Sequence, residues 1–90
     1  MSETAEARLK RMAMRSWRRG TKEMDLVFGP WADAHLAGAD DATLLAYDAL
    51  LDENDQDLAA WITGQAVAPG EHAPLLDRIR AFARDRLVKP

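Results

Sequence analysis

Nowhere in these 90 residues do apolar and polar side chains alternate with the period of two that a half-buried strand demands, and β-branched residues are few. What recurs instead is the three- and four-residue spacing of a helix buried along one face. The apolar stripes are broken at Gly20, Gly29-Pro30, Gly38, Asn54-Asp55, Gly64 and Pro69-Gly70, all of them residues that punctuate helices. This pattern predicts an all-α fold, a compact bundle of five short helices. A chain of this length supports one domain and not two, so residues 1–90 are expected to form a single unit with its core between about residues 4 and 87.

The first helix is expected from Ser2, as its cap, to Arg18. Its inward stripe is Leu9, Met12, Ala13, Ser16 and Trp17, and the polar Ser16 predicts that this helix is buried less deeply than the others. The second is expected to start near Thr21 and end by Gly38. Met24, Val27, Phe28 and Trp31 face inward, with a kink near Phe28–Gly29 because Pro30 lies inside the pattern. A third runs from an Asp40 or Asp41 cap to about Glu53, with Leu44, Tyr47, Leu50 and Leu51 inward. A short fourth is capped by Asp55 and stops at Gly64, burying Leu58, Trp61 and Ile62. The fifth runs from about Ala73 to Leu87 with Pro74 in its first turn, burying Leu75, Leu76, Ile79, Phe82 and Ala83.

Composition narrows function mostly by exclusion. The chain has no cysteine, which removes disulfides, thiolate metal sites and thiol nucleophiles together. Ser2 and Ser16 are the only serines, and His35 and His72 the only histidines, so a serine triad or a histidine metal cluster has almost nothing to be built from. Each histidine reads as a surface or helix-end residue. The acidic run Asp52–Asp57 is not an EF-hand loop, because Asp57 and Thr63 stand where glycine and glutamate are required; it reads as a turn between helices. The three tryptophans read as core, with room for one at a partner surface. The longest uncharged stretch, Leu58 to Gly70, is too short and mixed to span a bilayer, so no membrane insertion is expected.

The net charge of −3 conceals a sharp division. Residues 1–22 carry seven basic side chains and two acidic ones, whereas residues 23–73 carry eleven acids and neither Lys nor Arg. Such a chain either pairs its two halves within the fold or shows partners two faces of opposite sign. The middle helices, which would read a DNA groove, lack phosphate-neutralising side chains, so nucleic acid is not the expected partner. The Arg-rich amphipathic start shares features with a mitochondrial targeting peptide, but Glu3 and Glu6 and the immediate onset of the fold point to a cytoplasmic protein of bacterial type.

The most informative segment is Arg18-Arg19-Gly20-Thr21-Lys22-Glu23-Met24-Asp25. Gly20 permits a left-handed turn. Glu23 falls in the first turn of the second helix, where a carboxylate can satisfy free N–H groups, and Arg19 and Glu23 are spaced to pair across the corner. A well-made helix corner explains this much by itself.

The same residues carry a family resemblance. Arg19-Gly20-Thr21-Lys22-Glu23 matches the RGxxE signature of the succinate dehydrogenase assembly factors that promote covalent attachment of FAD, a family that includes the bacterial SdhE proteins. The likeness extends through Met24-Asp25, the Phe28-Gly29-Pro30-Trp31 run, Leu50-Leu51-Asp52-Glu53, Asp55-Gln56-Asp57-Leu58 and Trp61-Ile62-Thr63-Gly64, and so covers about Arg8 to Leu87. Thr21 replaces a frequent methionine, and Ala66–Gly70 is unusually rich in small residues. The resemblance implies a non-enzymatic factor, expected to be a monomer, whose partner is the flavoprotein subunit of succinate dehydrogenase or of fumarate reductase. It implies that the signature turn holds that client in a state where a client histidine bonds to the 8α-methyl carbon of FAD. On this resemblance Arg19, Gly20 and Glu23 make the contact, with Asp25, Arg15, Arg18 and Lys22 beside them. FAD belongs to the client, and with no Gly-rich dinucleotide loop no tight cofactor binding is expected. Two other classes fit the same residues, an antitoxin-like or cytoskeleton-regulating interaction module and a basic-arm nucleic-acid binder.

Overall fold

In the computed structural model, which describes residues 3–88, the chain folds as five α-helices and one 3-10 turn, with no strand among the described residues. The helices are α1 (Ala5–Trp17), α2 (Lys22–His35), α3 (Asp41–Leu51), α4 (Asp55–Thr63) and α5 (Ala73–Val88), with the 3-10 turn Leu36–Gly38 closing α2. The proposed Ser2 cap lies outside the described residues; Thr4 caps α1 by accepting from Ala7 N–H at 3.0 Å. Asp40 caps α3 as expected, and the hydrogen bonds from Thr43 hold its carboxyl below the usual range. Asn54 caps α4 and releases Asp55, the expected cap, for other contacts. Gly64 ends α4 in the left-handed conformation, at φ 85°.

The predicted stripes converge on one core of Met12, Met24, Phe28, Trp31, Tyr47, Leu50, Leu51, Leu58, Leu75, Leu76 and Ile79. α1 packs chiefly along α2, and α2 also meets α5. α1 is seated shallowly, as expected, with Met12 and Ser16 its buried residues, but Ser16 is not the cause, because it is itself fully buried. Its hydroxyl donates to the Met12 carbonyl at 2.7 Å and accepts from the Tyr47 hydroxyl at 2.6 Å. A hydroxyl that satisfies two buried groups is as good a core residue as an apolar one.

Two residues explain how α2 passes Gly29-Pro30. Gly29 is buried because the Trp17 ring lies where its Cβ would stand, so Trp17 sits across α2 rather than inside the core and stays 40% exposed. Its indole N–H donates to Asp33 at 3.2 Å. Pro30 has no N–H to offer the Leu26 carbonyl one turn back, and Arg86 of α5 donates to that carbonyl at 3.3 Å. The helix therefore continues through the proline to His35.

The charge division resolves within the fold. Arg8 of α1 pairs with Asp41 of α3 at 2.8 Å, Arg11 meets both oxygens of Asp48 at 2.8 and 2.9 Å, and Arg15 reaches Asp52 at 2.9 Å. Arg11 holds the Asp48 and Glu3 carboxyls below their usual range and is itself held more firmly protonated.

Burial pushes the Tyr47 phenol up to about 12. The folded protein thus keeps this proton at a pH where the unfolded chain loses it. The contribution is complete below pH of about 10 and is lost as pH rises from there toward 12. Urea unfolding over this interval should show steeper loss of stability in the parent than in Tyr47→Phe; parallel curves would contradict it.

Candidate functional site

The corner between α1 and α2 is built from contacts that run back into the bundle. Arg18 leaves α1 at φ −128° and ψ 48°, and Thr21 enters α2 extended, its hydroxyl accepting from Met24 N–H at 3.2 Å. Thr21 thereby takes the capping role expected of Glu23. Asp25, half-buried in the first turns of α2, accepts from Arg19 N–H at 2.5 Å, which fixes the chain before it turns.

Arg19 does not pair with Glu23. Its side chain points into the bundle, where it is only 9% exposed, and bonds through three nitrogens. Nε donates to Asp55 Oδ1 at 2.8 Å, Nη1 to the Leu51 carbonyl at 2.7 Å and Nη2 to the Glu53 carbonyl at 2.7 Å. A cation on the free carbonyls at the end of α3 is the arrangement that the helix dipole favours. The planar guanidinium serves two carbonyls and a carboxylate at once, which an ammonium does not.

Gly20 is not left-handed either; Gly64 is the one glycine with positive φ among the described residues. The need for glycine at this corner is steric. Gly20 N–H donates to the second oxygen of Asp55, and a Cβ at Gly20 would run into that same carboxylate.

The remaining site residues fall in two places. Arg15, Arg18, Arg19 and Gly20, with Arg11 and Met14, border an open cleft of about 600 Å³. Arg15 is occupied, donating to the Leu51 carbonyl at 2.9 Å as well as to Asp52, whereas Arg18 and Lys22 are exposed. Glu23 stands apart from the arginines. It is exposed at the second position of α2, with no hydrogen bond or ion pair to its carboxylate among the described residues. It borders a second groove, of about 320 Å³, with Leu26, Val27, Ala83 and Arg86. The structure thus brings Arg19, Gly20 and Asp25 together and leaves Glu23 facing outward. It also adds Asp55, which the sequence reading had placed at a helix cap. The signal was present in the charge division, which required the basic start to find acids in the middle of the chain.

Other candidates resolve as structure. His72, expected at a surface or helix end, is buried at the start of α5 with Nε2 3.1 Å from Glu53, while half-buried His35 stacks on Trp31. Among the described residues no group of three or more His, Cys, Asp or Glu side chains is placed to hold a metal, and no helix is long and apolar enough to cross a membrane.

Residues 10–83 match the profile of a protein family described as the flavinator of succinate dehydrogenase. The chain belongs to this family. Members similar to it include proteins named succinate dehydrogenase assembly factor 2, mitochondrial. That of Meyerozyma guilliermondii is 41% identical over 68% of this chain and 45% of its own length. That of Schizosaccharomyces pombe is 37% identical over 74% and 48%, and that of Mycosarcoma maydis 36% identical over 80% and 30%. The chain thus spans less than half the length of each of these relatives. They are fungal and named mitochondrial, which overturns the expectation of a cytoplasmic protein, points to the mitochondrion and gives the expected bacterial type no support. A cysteine-free helical domain suits either compartment, so composition alone gave that expectation no support.

Arg19→Lys should lower stability by about 2–4 kcal/mol, since one ammonium does not serve the shielded Glu53 carbonyl and the Asp55 carboxylate together. Asp41→Asn, which breaks an exposed rung, should change it by less than about 1 kcal/mol. Chemical denaturation of both variants measures the difference, and equal losses would contradict the role given to Arg19.

Proposed function

We propose that the protein is an assembly factor that binds the flavoprotein subunit of succinate dehydrogenase and promotes covalent attachment of FAD to it. Family membership and the RGxxE signature support this reading. The observation that carries it is the division of labour within the signature. Arg19 and Gly20 are consumed by contacts inside the fold, and Glu23 is the signature side chain left for a partner. A carboxylate exposed near a helix N-terminus gains about 0.3–1 kcal/mol from the dipole, and other first-turn acids such as Asp25 supply the same gain.

In this reading the factor performs no chemistry. It acts as a monomer on a client that holds FAD, or on the related subunit of fumarate reductase, and the bond-making belongs to the client and its flavin. The factor contributes binding energy that favours one client conformation over others, and it helps only to the extent that it binds that conformation more tightly. The arginine cleft and the Glu23 groove flank the corner and offer the client two surfaces, one of mixed lining with Arg18 exposed at its edge and one largely apolar. A basic arm for nucleic acid is disfavoured by the pairing of Arg8, Arg11, Arg15 and Arg19 with carboxylates of α3 and α4.

Replacing Glu23 separates this reading from a helix corner with no further role. Glu23→Gln and Glu23→Ala should each alter stability by less than about 1 kcal/mol. In cells lacking the native factor, both should leave the client subunit without the covalent flavin fluorescence that survives denaturing electrophoresis. Full flavinylation with Glu23→Ala would contradict the proposal.

A further inference from the structure

Asp55 is the first residue of α4, yet its carboxylate serves a different part of the molecule. One oxygen accepts from Arg19 Nε at 2.8 Å and the other from Gly20 N–H. The pair is shielded, with 20% of the Asp55 side chain and 9% of the Arg19 side chain exposed, and shielding from water stiffens such bonds. Arg19 is not free to follow a displaced Asp55, because its other nitrogens hold Leu51 and Glu53. The corner is gripped from both sides: Asp25 holds Arg19 N–H and Asp55 holds Gly20 N–H. Asp25 lies one half-turn beyond Glu23 on the same helix. The path from Asp55 to Glu23 therefore runs through two adjacent backbone N–H groups and the first turns of α2.

We propose that Asp55 is a positioning residue for Glu23. It fixes the corner, and through the corner the direction in which α2 presents Glu23 to the flavoprotein client. The proposal rests on the reading that Glu23 makes that contact. Asp55 also gives Gly20 its reason, since the space that a Cβ would need is filled by the carboxylate that holds the turn. The signature is then a unit of four residues, Arg19, Gly20, Glu23 and Asp55, of which the last lies on another helix. Small displacements of a contact residue are enough to weaken a specific interface.

Asparagine at position 55 accepts through one oxygen and presents an amide N–H₂ where the other was, so it releases either Arg19 or Gly20. The test is a calorimetric titration of the purified flavoprotein subunit with the full chain carrying Asp55→Asn, Glu23→Ala, or both, alongside melting curves. Asp77→Asn, which breaks the exposed Arg80 pair within α5, is the comparator. Asp55→Asn should weaken binding by about tenfold or more, whereas Asp77→Asn should leave it unchanged. The double variant should bind no more weakly than Glu23→Ala alone, because Asp55 acts through Glu23. A purely structural role would instead add its own loss on top of Glu23→Ala, and that result overturns the proposal. Parental affinity with Asp55→Asn overturns it as well. Parental affinity with Glu23→Ala overturns the contact itself, and the two failures are thereby distinguished. Asp55→Glu keeps the charge on a side chain one methylene longer; it should give the same ordering, and it decides the matter if Asp55→Asn does not fold.

Discussion

The Arg19 guanidinium joins two helix corners that are far apart in sequence. It closes the carbonyl end of α3, meets the first residue of α4 and belongs to the turn that launches α2. Burying a cation is costly unless its donors are matched, and three of its nitrogens are matched here. The ion pairs further along α1 are more exposed and individually weak, but they align α1 with α3 so that Arg19 arrives at its acceptors. The apolar core supplies the bulk of the stability, and the charged seam specifies how the corners meet.

This joint changes the meaning of the signature. A motif read as one contact surface divides into parts with different tasks. Arg19 and Gly20 make the corner possible, Asp25 and Thr21 hold its exit, and Glu23 projects outward. Loss of Arg19 or Gly20 therefore harms the fold and the presentation of the site together. Loss of Glu23 harms only what the site meets. Kinetic or binding defects from the three positions are not equivalent, even when their sizes agree.

Much of the fold was legible because helical periodicity reports burial directly. The residues read as inward in α3, α4 and α5 line or flank the core, except Ala83, which borders the groove beside Glu23. The misreadings are local and have physical causes. Thr4 and Asn54 cap where Ser2 and Asp55 were expected; at α4, Asn and Asp are caps of similar strength and Asp55 is drawn instead to Arg19 and Gly20. Ser16 looked like a flaw in a stripe until Tyr47, far along the chain, supplied its partner. At the site, spacing suggested that Arg19 meets Glu23 and that Gly20 is left-handed, since both are the local solutions to a tight corner. The actual solution is non-local. The imbalance of charge indicated that the basic start and the acidic middle would pair, but composition carries no information about which acid meets which arginine.

The central claim is that the outward face at the start of α2 meets the flavoprotein client. Amide hydrogen exchange of the full chain, followed by mass spectrometry with and without the purified flavoprotein subunit of succinate dehydrogenase, addresses it without altering any residue. The account predicts that exchange slows on complex formation across residues 20–27, which span the corner and the first turns of α2 with Glu23 and Leu26. Slowing confined to other helices, with residues 20–27 exchanging as in the free protein, would contradict it.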